Sequence, residues 1–286
     1  MRKILITGVN SYVGNNLEKW LAKNTENYTV DKLSLKNSSW EKGNFSKYEV
    51  VVHVAGIAHV SSDPKKKEEY YRVNRDLTIK VAEKAKNEGV KQFIFLSSII
   101  VYGDVSGVIN KDTIPNPRDY YGESKLQAEQ GIMPLNESKF KVATIRPPMI
   151  YGRDSKGNYP KLSMVAQKIP IFPWVENKRS MLHIDNLCEF IRLIIDNEES
   201  GLLFPQNEEY VQTSEMVRLI AESYGKKIKL VRWFNPAILP LRNKIGILNK
   251  VFGDLFYDKE MSKYSFDYRV RNMEESIKFT EGGKQQ

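Results

Sequence analysis

Short apolar runs and longer segments of helical spacing alternate through the first half of the chain. Lys3 to Thr7 is an apolar run that ends on Gly8, the pattern of a strand buried on both faces. Tyr12 to Lys23 places Val13, Leu17, Trp20 and Leu21 on one helix face. Residues 29 to 35 predict a second strand. Glu49 to Ala55, built on Val50-Val51-Val52-His53-Val54, predicts a third. Lys66 to Glu88 predicts one long helix with Val73, Leu77, Val81 and Ala85 on its inner face. Lys91 to Ser98 gives a fourth strand, Tyr121 to Gln130 a helix and Lys141 to Arg146 a further strand. Strands alternating with helices predict an α/β fold with a parallel sheet and right-handed crossovers.

The pattern weakens after Gly152. Residues 153 to 180 are rich in Gly, Pro and charge, and helical spacing returns at 184 to 196 and 214 to 224. From Asn235 onward the chain reads as helical or irregular. Trp233, Phe234, Phe252, Phe256, Tyr257, Tyr264 and Tyr268 are expected to pack there or to form an interface.

Thr7-Gly8-Val9-Asn10-Ser11-Tyr12-Val13-Gly14 lies between the first strand and the first helix, the context in which such a glycine pattern carries meaning. Gly8 suits a tight turn and Gly14 close packing of helix on strand. The helix N-terminus, with Asn10, Ser11, Tyr12 and Val13 around it, offers unpaired N–H groups to a pyrophosphate. Ser11 stands where a middle glycine would be. It fits if its φ is ordinary, and its hydroxyl could add a donor. These features predict a Rossmann-type doubly wound parallel sheet with a smaller C-terminal substrate-binding cap. The expected division is a dinucleotide-binding part at 1–152, to which 180–200 returns, and a cap made of 153–179 and 201–286.

An NAD site ends its second strand on a carboxylate that accepts from the ribose 2′-hydroxyl. Here the segment is Leu33-Ser34-Leu35-Lys36-Asn37-Ser38, without an acid. Lys36 would attract a 2′-phosphate, so NADP(H) is favoured and NAD(H) stays as the alternative.

Tyr121 and Lys125 are four residues apart and share a helix face. An ammonium beside a phenol stabilises the phenolate and lowers its pKa from about 10, which would make Tyr121 a proton donor and acceptor. Ser98 ends the fourth strand, where ligand crevices of open α/β sheets lie. Its hydroxyl can hold a substrate oxygen beside Tyr121.

The ordered set Thr7-Gly8…Gly14, His53-Val54-Ala55-Gly56, Asn74, Ser97-Ser98…Tyr102-Gly103, Tyr121…Lys125, Arg146-Pro147-Pro148…Tyr151-Gly152 and Arg179…His183-Ile-Asp185 resembles the extended short-chain dehydrogenase/reductase family, which contains nucleotide-sugar epimerases, dehydratases and reductases. The resemblance implies Ser98, Tyr121 and Lys125 as the catalytic set. Tyr121 would exchange the proton, Lys125 would tune it and hold the nicotinamide ribose, and Ser98 would orient the reacting oxygen. It further implies Asn44 and Phe45 beside the adenine, Ala55 and Gly56 along the cofactor and Pro147 near the nicotinamide. Bottom-up, Asn74 reads as a structural amide and not as a site residue.

Dehydratases of this type resemble Thr-Asp-Glu at the strand end. Ile99 and Ile100 cannot move protons, which argues against 4,6-dehydration. The resemblance to bacterial surface-polysaccharide enzymes favours reduction of a UDP-2-acetamido-2,6-dideoxy-4-ketohexose. A UDP-sugar 4-epimerase comes second and a dTDP-4-keto-6-deoxysugar reductase third. A redox-inactive dinucleotide-binding module is the alternative of another class. Arg179 is the candidate for the substrate diphosphate, with Asn158 and Lys161 as helpers. Pairing of two long helices into a homodimer remains open.

Composition adds limits. The 286 residues are 41% hydrophobic and 28% charged, enough for a sizeable core. The net charge of +9 favours anionic partners, whether nucleic acid, acidic membrane surface or phosphorylated metabolite. Nucleic acid finds no support, since Lys65-Lys66-Lys67 is followed at once by Glu68-Glu69 and no recognition motif appears. Cys188 stands alone, so no intrachain disulfide forms and a cytoplasmic location is expected. No apolar run reaches the roughly 18 residues of a membrane span. His53, His59 and His183 lack metal-site spacing, and no metal is expected. Lys36→Asp is expected to weaken NADP(H) binding far more than NAD(H) binding in a fluorescence titration; equal weakening removes the 2′-phosphate role of Lys36.

Overall fold

A computed structural model describes residues 1–57, 64–242 and 244–282; His59 lies outside the described residues. The chain divides into two compact units, one of Met1–Asp104, Thr113–Pro147 and Leu187–Pro205, the other of Val105–Asp112, Pro148–Asn186 and Gln206–Gln286.

The first unit contains β1 (Arg2–Thr7), α1 (Tyr12–Leu21), β2 (Tyr28–Leu33), β3 (Val50–His53), α2 (Lys67–Tyr70), α3 (Leu77–Asn87), β4 (Gln92–Leu96), α4 (Tyr120–Ile132), β5 (Lys141–Ile145), most of α5 (Ile184–Asp196) and β6 (Gly201–Leu203). Its six strands are all parallel, in the order β6-β5-β4-β3-β1-β2. The chain leaves β1 toward β2 on one side and then crosses to β3 on the other. The strand order therefore reverses between β1 and β3, the place where α/β sheets open a ligand crevice. This is the Rossmann-type doubly wound sheet expected from the sequence.

Alternation of side chains sets the two faces. Leu5, Val51, Phe93, Phe95 and Val142 form one core with Val81, Ala82 and Ala85 of α3 and Ala128 and Ile132 of α4. Ile6 points the other way, toward α1, where a Cβ on Gly14 would lie 3.1 Å from both Ile6 Cγ2 and Val54 Cγ2. The register sets Thr7 beside His53 and His53 beside Phe95, so the strands end level. The segments that follow them, Gly8, Val54 to Gly56, Ser97-Ser98 and Arg146-Pro147, thus emerge along one edge.

The helix expected over 66–88 is not regular. Residues Tyr71–Asp76 form a π-helical stretch between α2 and α3. The widened turn carries Asn74, which is fully buried.

The second unit holds three parallel strand pairs: Met149–Tyr151 with Met181–His183, Ile171–Pro173 with Lys229–Val231, and Gly107–Ile109 with Leu255–Tyr257. The Gly- and Pro-rich stretch contains an unforeseen helix, Asn158–Lys168, which buries Tyr159, Ser163 and Ala166 on one face. Gly157 and Pro160 at its start obscured it, although Pro is tolerated in a first turn. Its core gathers Tyr151, Tyr159, Phe172, Met181, Met216, Ile220, Phe252 and Ile277. Of the aromatic residues expected to pack, Phe252, Tyr257 and Tyr268 are buried, whereas Trp233 and Phe234 stay 71% and 44% exposed.

Gly8 has φ of 98°, and a Cβ there would sit 3.0 Å from Ala55 Cα. Gly8→Ala is expected to destabilise the fold by roughly 1–3 kcal/mol in urea unfolding. An unchanged midpoint would mean the β1–β3 crossing is looser than its geometry.

Candidate active site

The loop after β1 is closed by Ser11 N–H donating to Gly8 O at 2.9 Å. Ser11 has φ −69° and ψ 133°, ordinary extended backbone, and its hydroxyl accepts from Gly14 N–H at 3.3 Å. The serine at the middle glycine position is therefore the N-cap of α1, a favoured residue there. Tyr12 and Val13 occupy the first turn, whose N–H groups have no intrahelical acceptor. Asn10 is exposed beside them. Gly8, Gly14 and the N-terminus of α1 thus form a cradle open to an anion, and the residues fit a dinucleotide pyrophosphate.

Other expected cofactor positions are placed unequally. Lys36 is exposed beyond the end of β2, where Ser34 Oγ accepts from its N–H. Asn44 is exposed and its Oδ1 accepts from Ser46 N–H and Oγ. The Phe45 ring is 1% exposed and belongs to the core around Trp40 and Val51, so it presents no face to an adenine. Ala55 and Gly56 follow β3. A Cβ on Gly56 would lie 3.0 Å from Asn74 Oδ1 and 3.4 Å from Lys125 Nζ. Pro147 is buried, and its carbonyl accepts from Ile99 N–H at 2.9 Å, joining the ends of β4 and β5.

Ser98, Tyr121 and Lys125 come together. Asp119 caps α4 by accepting from Gly122 N–H at 2.8 Å, which begins the helix just before Tyr121. The Ser98 hydroxyl lies within hydrogen-bonding contact of the Tyr121 phenol. Lys125, 5% exposed, donates to Leu96 O at 2.8 Å and lies 4.6 Å from the centre of the Phe95 ring. Burial pushes its pKa down to about 8, against the attraction of Glu129.

Tyr121 departs from the expected acidity. Burial pushes its pKa up to about 12, the Ser98 bond opposes this, and Asp119 adds to the rise. Lys125 spends its ammonium on the Leu96 carbonyl, so desolvation of the phenol wins.

Two side chains support the set: Asn74, the structural amide read from the sequence, and Glu129, which the sequence reading did not single out. Asn74 accepts from Ile57 N–H at 2.8 Å and donates to Ile57 O and Ser124 Oγ, each at 3.1 Å. It pins the segment after β3 to α4. Glu129, 2% exposed, accepts from Arg146 Nε through both carboxylate oxygens, from Arg146 Nη2 and from Ser97 Oγ. Arg146 Nη1 also donates to Tyr102 OH at 2.8 Å. The spacing Tyr121–Lys125–Glu129, every fourth residue of one helix, is the signal that could have revealed the carboxylate.

His53 ends β3 fully buried, with Nδ1 2.8 Å from Thr7 Oγ1 and Nε2 3.0 Å from Thr78 Oγ1. Burial, then Lys125, pushes its pKa down to about 3. It is a neutral packing residue. No group of three metal-ligating side chains occurs among the described residues.

Asn158, Lys161 and Arg179 belong to the second unit. Asn158 and Lys161 are exposed on the first turn of their helix. Arg179 is half-buried, and its Nη1 donates to Gly253 O at 2.9 Å and Asn249 O at 3.4 Å. Its guanidinium is partly committed to the end of the short helix Gly246–Phe252.

The buried Lys125 ammonium opposes folding. Its folded pKa near 8 lies below the ordinary 10.5, so the unfolded chain binds the extra proton between those values. Stability rises with pH through that window, and at neutral pH the charge costs about 3 kcal/mol. The Leu96 hydrogen bond returns about 1 kcal/mol. Lys125→Met is expected to gain about 2 kcal/mol at pH 7, a gain that shrinks toward pH 10 in paired urea titrations. A loss of stability at pH 7 would show that the ammonium is a net support.

The family described as NAD dependent epimerase/dehydratase matches residues 4–211. A UDP-glucose 4-epimerase from Vibrio cholerae is 29% identical, with 98% of this chain and 94% of that protein aligned. A dTDP-4-dehydrorhamnose reductase from Bacillus anthracis, solved with NADP, superposes with a TM-score of 0.72 over 100% of both chains at 18% identity. A UDP-glucuronic acid 4-epimerase from Bacillus cereus, solved with NAD, superposes with a TM-score of 0.71 over 98% of this chain and 99% of that one, also at 18% identity. The match of the family across most of the chain, on a sheet that carries the expected strand order, shows that the chain belongs to the NAD dependent epimerase/dehydratase family.

Proposed function

We propose that the protein is an NADP(H)-dependent reductase of a nucleotide-linked 4-keto-6-deoxy sugar, with a UDP-2-acetamido-2,6-dideoxy-4-ketohexose as the favoured substrate. The observation that carries this reading is the Ser98–Tyr121 contact, with the phenol held protonated by burial. A dinucleotide held by the Gly8–Gly14 loop, Lys36 and the segment after β3 would supply the hydride. Tyr121 donates its proton to the substrate oxygen. Ser98 holds that oxygen and then the phenolate left behind. Lys125, anchored on Leu96, places a positive charge behind the site and contributes to holding the nicotinamide ribose. Ile99 and Ile100 follow Ser98 and offer no acid or base, which argues against dehydration. Arg179 retains donors for a diphosphate beyond the one that caps the helix, with Asn158 and Lys161 as helpers.

The second reading is an NAD-dependent UDP-sugar 4-epimerase, favoured by the full-length similarity to the Vibrio cholerae enzyme. Reduction is placed first because Lys36, with no acid beside it at the end of β2, suits the 2′-phosphate of an exchangeable NADP(H).

NADPH consumption with the UDP-linked keto sugar tests the choice. Wild type is expected to turn over and Tyr121→Phe to lose about 10²–10⁴-fold in kcat. Interconversion of UDP-sugars at C4 without NADPH consumption would install the epimerase reading. Cofactor binding with equal inertness of wild type and Tyr121→Phe toward every keto sugar would leave a redox-inactive module.

A further inference from the structure

Between Lys226 and Gly253 the sequence holds seven Lys or Arg and no Asp or Glu. The same stretch carries a large share of the second unit's exposed apolar surface. Ile238, Leu248, Val251 and Phe252 turn inward and pack on the core. Trp233 at 71%, Phe234 at 44%, Leu239 at 45%, Leu241 at 42%, Ile245 at 41% and Ile247 at 71% are left outside. A surface segment of a monomer keeps its apolar side in and its polar side out. Here both sides are apolar, and the outer one is studded with cations. Arg232 and Arg242 pair with Glu176 and Asp254, which lie outside the run. Lys226, Lys227, Lys229, Lys244 and Lys250 are exposed.

We propose that this stretch docks the protein on an anionic phospholipid surface. Exposed Trp and Phe suit the headgroup layer, flanking Leu and Ile suit the acyl boundary, and lysines suit phospholipid phosphates. Charge decides the occupant. A second copy would bring a second set of these exposed lysines against the first, and like charges oppose that contact. The attachment is peripheral, because no helix among the described residues is long and apolar enough to cross a membrane.

The test is co-sedimentation of the full chain with vesicles of phosphatidylcholine alone and of phosphatidylcholine with phosphatidylglycerol. Binding is expected only to the second, and it should weaken as salt rises. Trp233→Ser with Phe234→Ser is expected to abolish binding with an unchanged melting curve, since both side chains are exposed. Lys244→Glu with Lys250→Glu should lower partitioning by more than about tenfold and does not touch the core. Equal binding to both vesicle types, or retention by both double variants, overturns the proposal. Absence of wild-type binding also overturns it and leaves the face to a protein partner. A dimer that the Trp233/Phe234 variant converts to monomer would assign it to a second copy.

Discussion

A carboxylate and a guanidinium with almost no access to water hold the centre of the first unit. Glu129 stands on α4, and Arg146 follows β5. Ser97 and Tyr102, on either side of Ser98, bond to the same pair. Three elements that are distant in sequence meet at one ion pair. Removing either partner strands a buried charge at a cost of about 3–5 kcal/mol, so the arrangement behaves as all or none. The Ser98–Tyr121 contact depends on it, because the helix and the strand end are fixed to each other one and two turns below the phenol.

Around that anchor the protein accepts electrostatic disadvantage. His53 is kept neutral and Lys125 is charged at the expense of stability. Tyr121 is kept protonated by the same lack of water. One cause, desolvation, moves all three in the directions of their uncharged forms. The neighbouring hydroxyls and carbonyls then select which group meets the substrate. Active-site groups are commonly less stable than the replacements a designer would choose.

The parallel sheet was legible because strands buried on both faces read as unbroken apolar runs, as at Val50 to His53 and Phe93 to Leu96. The glycine loop was legible because its position between strand and helix restricts its meaning. Other features leave weaker traces. A π turn barely disturbs apolar spacing, so Tyr71 to Asp76 read as ordinary helix. Glu129 looked like one of many helix carboxylates until Arg146 was brought to it by β5, a tertiary event. Phe45 was placed beside an adenine by the family resemblance alone, and the core turns it inward. Tyr121 and Lys125 were placed correctly on one helix face, but their mutual electrostatics depend on Leu96 O, a backbone group that no side-chain pattern reveals.

The π turn has a consequence for how such a chain can change. It is an α-helix holding one residue too many, and Asn74 lies inside the surplus. Excising a single residue between Tyr71 and Asp76 would restore plain helical winding and turn the preceding part by about 100°. The buried amide would leave its Ile57 and Ser124 partners while the apolar stripe of α3 stayed intact. Length variation at this spot is thus decoupled from hydrophobic pattern: a deletion could keep the domain packed and silently unfasten the segment after β3.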